Sequence, residues 1–382
     1  VGNQLTLLNI GTGSGALGNF TFNGVPLLQG GSISLTANGF TTAFSINYRG
    51  GDGNDVVLTV TAVSPHTAPP GTLLPTQATG VDYGGGSVVQ INYNNGSSFC
   101  FYAYSPAYTG GVRVALGDIN GDGIDELITG TGIGGGPHIK VFNLQGGQPV
   151  EIASFFAFEP TFMGGVYIST GDINADGLED IIVGAGAGGG PRVKVFSGNS
   201  GYFINAVAPL MDFFAYNPAF TGGVTVAAGK RDLNPGDEVI TGPAVGGGPN
   251  VRSFNAASLM IDNFFAFGAN ITTGIFVAAG YVDSDLTADI IAGTGFGAPS
   301  QIAAFFSTGD RPTAIPFAPN FIGGARVGIA LNSLGQEAFA AAAGPGGAPL
   351  VNIFNNSLTV VVDTFFAINP LFSGGLYLNT TL

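Results

Sequence analysis

Charge is the first thing this sequence lacks. Asp, Glu, Lys and Arg make up 9% of its 382 residues, against about 25% in an ordinary soluble domain. Basic residues are the scarcer kind, 10 against 24 acidic, for a formal net charge of −14. Binding to phosphates needs patches of Lys and Arg, so neither nucleic acid nor an anionic membrane surface is an expected partner. Divalent cations are the natural counter-ions. A single cysteine, Cys100, excludes an intrachain disulfide. In a β-rich chain it reads as a small buried apolar residue. Trp is absent and only two histidines occur, His66 and His138. No run approaches the ~18 consecutive apolar residues of a membrane-spanning helix. Val1 is not an initiator Met and no signal peptide is visible, so the chain reads as a processed product or a piece of a longer protein.

What is present is glycine (65 residues), proline (22) and an apolar share of 45%. That share supports a sizeable core and argues against disorder despite the glycine. No Gly-X-Y period exists, which excludes a collagen helix. Good helix formers are few, while Val, Ile, Thr and Phe abound. Many short strands joined by tight turns are expected, in two or three domains.

The strongest signal is internal repetition. Residues 110–142 read GGVRVALGDINGDGIDELITGTGIGGGPHIKVF, and closely similar stretches begin at Gly164 and Gly222, with weaker ones near Thr273 and Gly323. Aromatic tags follow the copies: Phe155-Phe156-Ala157-Phe158, Phe213-Phe214-Ala215-Tyr216 and Phe264-Phe265-Ala266-Phe267 after the first three, and Phe365-Phe366-Ala367-Ile368 after the last. The tags are expected to pack between neighbouring sheets. The spacing is roughly 50–58 residues, in the range of propeller blades. In the first full copy four strand-like runs stand at Val112–Leu116, Glu126–Thr129, His138–Phe142 and Glu151–Phe158. Four antiparallel strands make one blade. The Gly134-Gly135-Gly136-Pro137 turn precedes a strand rather than a helix, so it is not a phosphate cradle.

The two ends of the repeat region are complementary. Residues 76–87 (TQATGVDYGGGS) align without a gap to residues 126–137, so the first repeat starts at its second strand. Residues 374–382 (GGLYLNTTL) align to residues 110–118, a first strand with nothing after it. Joined, they form one composite blade beside five continuous ones. The expected fold is therefore all-β: a six-bladed β-propeller over 76–382 closed by its N- and C-terminal strands, which removes an unpaired sheet edge.

Asp118-Ile119-Asn120-Gly121-Asp122-Gly123-Ile124-Asp125-Glu126 is a D-x-N-x-D-G-x-x-[DE] loop, repeated at Asp172-Ile173-Asn174-Ala175-Asp176-Gly177-Leu178-Glu179-Asp180. Oxygen side chains at positions 1, 3 and 5 face one centre, glycine at position 6 permits the turn, position 7 offers a carbonyl, and the carboxylate at position 9 closes the cage. The candidate ligands are Asp118, Asn120, Asp122, Ile124 and Glu126, and Asp172, Asn174, Asp176, Leu178 and Asp180. Calcium, which takes 6–8 oxygens in irregular geometry, is the expected metal. The alternative reading is an Asx-turn without an ion. In the third copy Lys230 stands at position 1, where its ammonium would substitute for the cation. The fourth keeps Asp283, Asp285 and Asp289, a possible third calcium site. The fifth, around Leu331–Glu337, has lost its ligands.

These loops, set between G-G-V-x-V strands and followed by G-G-G-P-x-V-x-V-F, resemble the FG-GAP/VCBS repeats of integrin α subunits and of large secreted bacterial proteins. The resemblance covers residues 76–382. It implies a propeller with Ca2+ between the first two strands of a blade, a secreted or cell-surface location, and adhesion or scaffolding. Integrin propellers have seven blades, whereas the alignment here counts six.

Residues 1–62 stand outside the repeat and read as a small β-domain, with strand-like runs at Leu5–Ile10, Phe20–Phe22, Ser32–Ala37, Phe44–Tyr48 and Val56–Val60. Residues 50–58 match a calcium-roll nonapeptide once, and such rolls bind ions between stacked copies. Four prolines in 62–77 mark a stiff linker, placed at 63–75, rather than a strand.

No catalytic constellation stands out. His138 occupies a position where sister copies carry Arg192 and Asn250, and the sequence links neither histidine to a Ser or Cys. The expected function is a non-enzymatic, extracellular calcium-binding surface module that adheres to a surface protein or glycan. One alternative is a subunit of a self-assembling filament, sheath or surface layer that binds copies of itself. It is motivated by low charge and a mean hydropathy of +0.38. Another is a non-catalytic domain of a glycan-processing enzyme.

Overall fold

The computed structural model describes residues 71–198, 208–283, 285–332 and 336–380, together with the backbone of six strands between Gln4 and Pro65. Those six form their own unit. A four-stranded antiparallel sheet runs in the order Gln4–Leu8, Asp55–Pro65, Phe40–Gly50, Ser32–Ala37, beside a two-residue pair, Thr21–Phe22 with Val25–Pro26. Of the calcium-roll match, Gly50 ends one long strand and residues 55–58 open the next, while residues 51–54 lie outside the described residues, as does His66. Of the expected linker, residues 66–70 lie outside the described residues. One strand runs on to Pro65, paired with Phe40, and the next begins at Pro75. Proline is tolerated at strand ends because its missing N–H leaves no ladder bond unmade there.

The second unit is a six-bladed β-propeller of six separate four-stranded sheets; in five of them the strands pair in chain order. The first complete blade is Val112–Gly117, Glu126–Thr131, His138–Asn143 and Val150–Phe156. The composite blade forms as the alignment requires. Leu376–Thr380 pairs antiparallel with Pro75–Val81, with Leu376 opposite Val81 and Thr380 opposite Gln77, and Val88–Tyr93 and Ser98–Tyr102 complete it.

Burial along each blade explains the sequence pattern. Second strands such as Asp180–Ala185 are buried at every position, since neighbouring blades cover both faces. They therefore read as unbroken apolar runs rather than alternating ones. Outer strands such as Val150–Phe156 are largely exposed. The core is a ring of wedges between blades. In one, Ala115, Ile128, Ile139 and Val141 of one blade meet Val166, Ile168, Ile181 and Val183 of the next. The aromatic tags bridge the same wedges: Phe155 packs on Phe196 at 5.1 Å, Phe213 on Phe254 at 4.9 Å and Phe264 on Phe305 at 4.7 Å. Blades also approach closely enough to require glycine. A Cβ on Gly184 would lie 2.3 Å from the carbonyl oxygen of Val224 in the next blade.

Candidate functional site

The acidic loops lie where the hairpin between first and second strands turns. Glycine at position 6 adopts the left-handed backbone the turn demands, φ 80° at Gly123 and 85° at Gly177. Position 4 does the same, as Gly121 at φ 78° and as Ala175 at φ 60°. Ile124 and Leu178 bury their side chains and anchor the far limb of each loop.

In the second loop each candidate side chain accepts at least one backbone N–H. Asp172 Oδ1 accepts from Asp176 at 3.0 Å and Asp172 Oδ2 from Gly177 at 3.0 Å. Asn174 Oδ1 accepts from Asp176 at 2.9 Å, and Asp176 Oδ1 from Leu178 at 2.9 Å. Asp180 accepts from Ile173 and from Gly198, both at 3.0 Å. This is the Asx-turn arrangement. Among the described residues no three His, Cys, Asp or Glu side chains are grouped so as to hold a metal ion. The donor chemistry nevertheless suits a hard cation. The candidates are all oxygens, and each carboxylate oxygen that accepts one N–H keeps a second lone pair. Burial, with Asp176 and Asp172 beside it, pushes the Asp180 carboxyl up to about 7. Burial also raises Asp172, partly offset by the N–H groups it accepts. A group of acids that resists ionisation wants a proton or a cation.

The first loop brings Asn120 Nδ2 to Glu126 Oε1 at 2.5 Å, and Asn143 Nδ2 donates to the same oxygen at 3.3 Å. Asp118 offers its carbonyl oxygen to the N–H of Glu179 at 3.1 Å. In the fourth loop Asp283 Oδ1 accepts from Asp285 at 2.9 Å and Asp285 Oδ1 from Thr287 at 2.7 Å. Asp289 Oδ2 accepts from Asp283 at 3.3 Å, while Asp289 Oδ1 is buried without a partner among the described residues. Burial and Asp283 raise the Asp289 carboxyl to about 7. An orphaned buried carboxylate oxygen is the fit a cation would satisfy.

The third loop departs from expectation. Lys230 makes no ion pair among the described residues, and its charge acts at longer range on Asp237. The neighbouring Arg231 carries the contacts instead, pairing with Asp262 at 3.0 Å and donating to the Ala288 carbonyl.

Position 8, which the motif left unspecified, ties the blades together. Its N–H donates to the carbonyl of position 1 in the preceding blade from Glu179 to Asp118, from Asp237 to Asp172 at 2.8 Å, and from Ala288 to Lys230 at 2.7 Å. Asp237 Oδ2 also accepts the Asp172 N–H at 3.1 Å, and Glu337 Oε2 that of Tyr281 at 2.5 Å. The acids at 125, 179 and 237 were the available signal.

Two smaller expectations are corrected. Cys100 is exposed on an outer strand, its thiol on Gln90 at 3.4 Å, because the alternation of that strand places Phe99 and Phe101 inward. His138 does have a serine: Ser154 Oγ lies 2.8 Å from its Nε2, with the ring between Tyr104 and Phe156. Burial and Lys140 lower its pKa.

The geometry defines a β-propeller with acidic turns. No family model and no curated protein matches the chain. Solved structures do. A chain of a nidogen/laminin complex superposes with a TM-score of 0.50 at 11% identity, covering 80% of this chain and 98% of that one. TolB from Acinetobacter baumannii superposes with a TM-score of 0.50 at 13% identity, covering 80% of this chain and 66% of that one. At such identities the likeness concerns the propeller fold alone. No helix among the described residues is long and apolar enough to cross a membrane.

Proposed function

We propose that the chain is a non-enzymatic, extracellular calcium-binding β-propeller of the FG-GAP/VCBS type, acting as an adhesion or ligand-binding surface module. The observation that carries the calcium reading is the second loop. Burial and the charge of Asp176 disfavour ionisation of Asp172 and Asp180, Asp172 adds to the effect on Asp180, and no basic side chain pairs with the three among the described residues. Asp172, Asn174, Asp176, the Leu178 carbonyl and Asp180 would hold the ion, with Asp118, Asn120, Asp122, the Ile124 carbonyl and Glu126 as the second set and Asp283, Asp285 and Asp289 as a third. Bound calcium would supply positive charge that lets these acids ionise at neutral pH. The chain's own residues fix the turn, through glycine at position 6, and lock it to the preceding blade through position 8. Metal analysis of the purified protein, with thermal melts in calcium and in chelator, tests the reading. No bound calcium and superimposable melts would count against it.

A second reading, self-assembly into an extracellular layer or filament, is favoured by one feature. Outer strands carry exposed apolar side chains in register around the ring, among them Tyr102, Phe156, Phe214, Phe265 and Phe366, and Val360–Val362 add an apolar edge. Unpaired apolar edge strands are templates for association. A monomer that persists at high concentration would exclude it.

A further inference from the structure

The second residue of each innermost strand points to the propeller axis: Arg113, Tyr167, Thr225, Phe276, Arg326 and Tyr377. The three rings form a cluster, with centroids 6.0–6.4 Å apart. The two arginines stack on it. Arg326 lies 4.5 Å from the Phe276 ring and is fully satisfied in charge, bonding Asp82 at 2.5 Å and the Gly323 carbonyl at 3.0 Å. Arg113 lies 5.1 Å from the Tyr167 ring and 4.9 Å from that of Tyr377 but meets no acceptor among the described residues. Its Nε and Nη1 are buried without a partner. A cavity of about 250 Å3 opens above this floor, and its lining residues carry two further unpartnered buried atoms, Thr273 Oγ1 and Arg326 Nε. Its single acid among the described residues is Asp82, already committed to Arg326. Its rim is apolar: Ile133, Val245 and Phe296 occupy equivalent turns of three blades and are 54–63% exposed.

We propose that this mouth of the channel binds a small organic anion, a monocarboxylate carried on an apolar or aromatic body. The proposal deepens the ligand-binding reading above and rests on it. The two arginines share the field of the one carboxylate, Asp82, which bonds Arg326 and leaves Arg113 without an ion pair among the described residues. A buried guanidinium without hydrogen-bond partners is costly, and a carboxylate matches its planar fork with two parallel hydrogen bonds. One free cation suits one negative charge, and the rings and rim suit an apolar body, the usual composition of a small-molecule pocket. The site stands at the opposite end of the innermost strands from the acidic loops, so it needs no calcium.

Calorimetric titration of the intact chain with 3-phenylpropionate and with its neutral amide is the test. The acid binds, and the amide binds at least tenfold more weakly. Arg113→Lys, which keeps the charge and loses the fork, and Arg113→Met both weaken the acid at least tenfold. Val245→Glu, which puts a negative charge on the exposed rim without touching the core, weakens it too, and this arm stands if Arg113→Met fails to fold. Equal binding of acid and amide, no binding of either, displacement of the acid by equimolar inorganic phosphate, or an affinity indifferent to Val245→Glu would overturn the site. Titrations in calcium and in chelator give the same affinity. A protein that binds no calcium yet takes the acid upholds the site while the calcium reading falls.

Discussion

Arg326 and Asp82 meet at 2.5 Å although 244 residues separate them. The pair joins the last continuous blade to the composite one, and both side chains are buried, at 6% and 7% exposure. Removing one partner of a buried pair leaves an uncompensated charge, which costs about 3–5 kcal/mol. Asp82→Ala is expected to lower stability by that amount in urea unfolding, and the Asp82→Ala/Arg326→Met double variant to recover part of it. A single variant as stable as the parent would show that the seam does not depend on this contact.

Calcium should act through linkage. A ligand bound only by the folded state stabilises it by about 2.7 kcal/mol at a hundredfold excess over its Kd. The melting temperature is expected to climb with free calcium, and Asp172→Asn with Asp176→Asn to remove the share owed to the second loop. Bound calcium counted by metal analysis should fall by one ion in parallel.

In metal-free protein, acidity should stabilise. Asp180 and Asp289 at about 7 and Asp237 at about 6 have folded values above the unfolded value near 4, burial being the main cause in each. The folded state then holds more protons, so stability is greatest below about pH 4 as far as these groups are concerned and declines as pH rises towards 7. Asp237→Asn should flatten the part of the decline that ends near pH 6. Unfolding free energies measured in chelator across pH 4.5–8 that stay level or rise, rather than decline, would show that burial does not hold these carboxyls protonated.

Adjacent aromatic residues of one tag should behave oppositely. Phe213 packs against Phe254, whereas Phe214 is 49% exposed. Phe213→Ala is expected to cost about 2–4 kcal/mol, and Phe214→Ser to stay within about 0.5 kcal/mol. If copies associate through the exposed ring, Phe214→Ser should instead lower the association measured by sedimentation.

The blade count was legible because a gapless alignment of residues 76–87 to 126–137 and of 374–382 to 110–118 exposes which strand is missing and which is surplus. The acidic loops were legible because their ligands are local. What escaped are relations between blades. Glu337 reaching Tyr281, Arg231 donating to the Ala288 carbonyl, and the side chains at the second position of each innermost strand converging on one axis all depend on packing between residues some fifty positions or more apart. Cys100 was misjudged because residue-type preference was weighed above the alternation that turns Phe99 and Phe101 inward. Ser154 was invisible as a partner of His138 until strand register placed their two strands side by side.

The closing pair also has a mechanical consequence. Thr380 lies opposite Gln77, so the outgoing end of one strand and the incoming end of the other sit at the same edge of the sheet. Tension applied between residues 75 and 380 peels that pair apart one rung at a time instead of shearing all its rungs together. The ring is thus a clasp that yields to a modest pull at its seam, while the other five sheets, whose strands are joined by hairpins, bear none of the load until it opens.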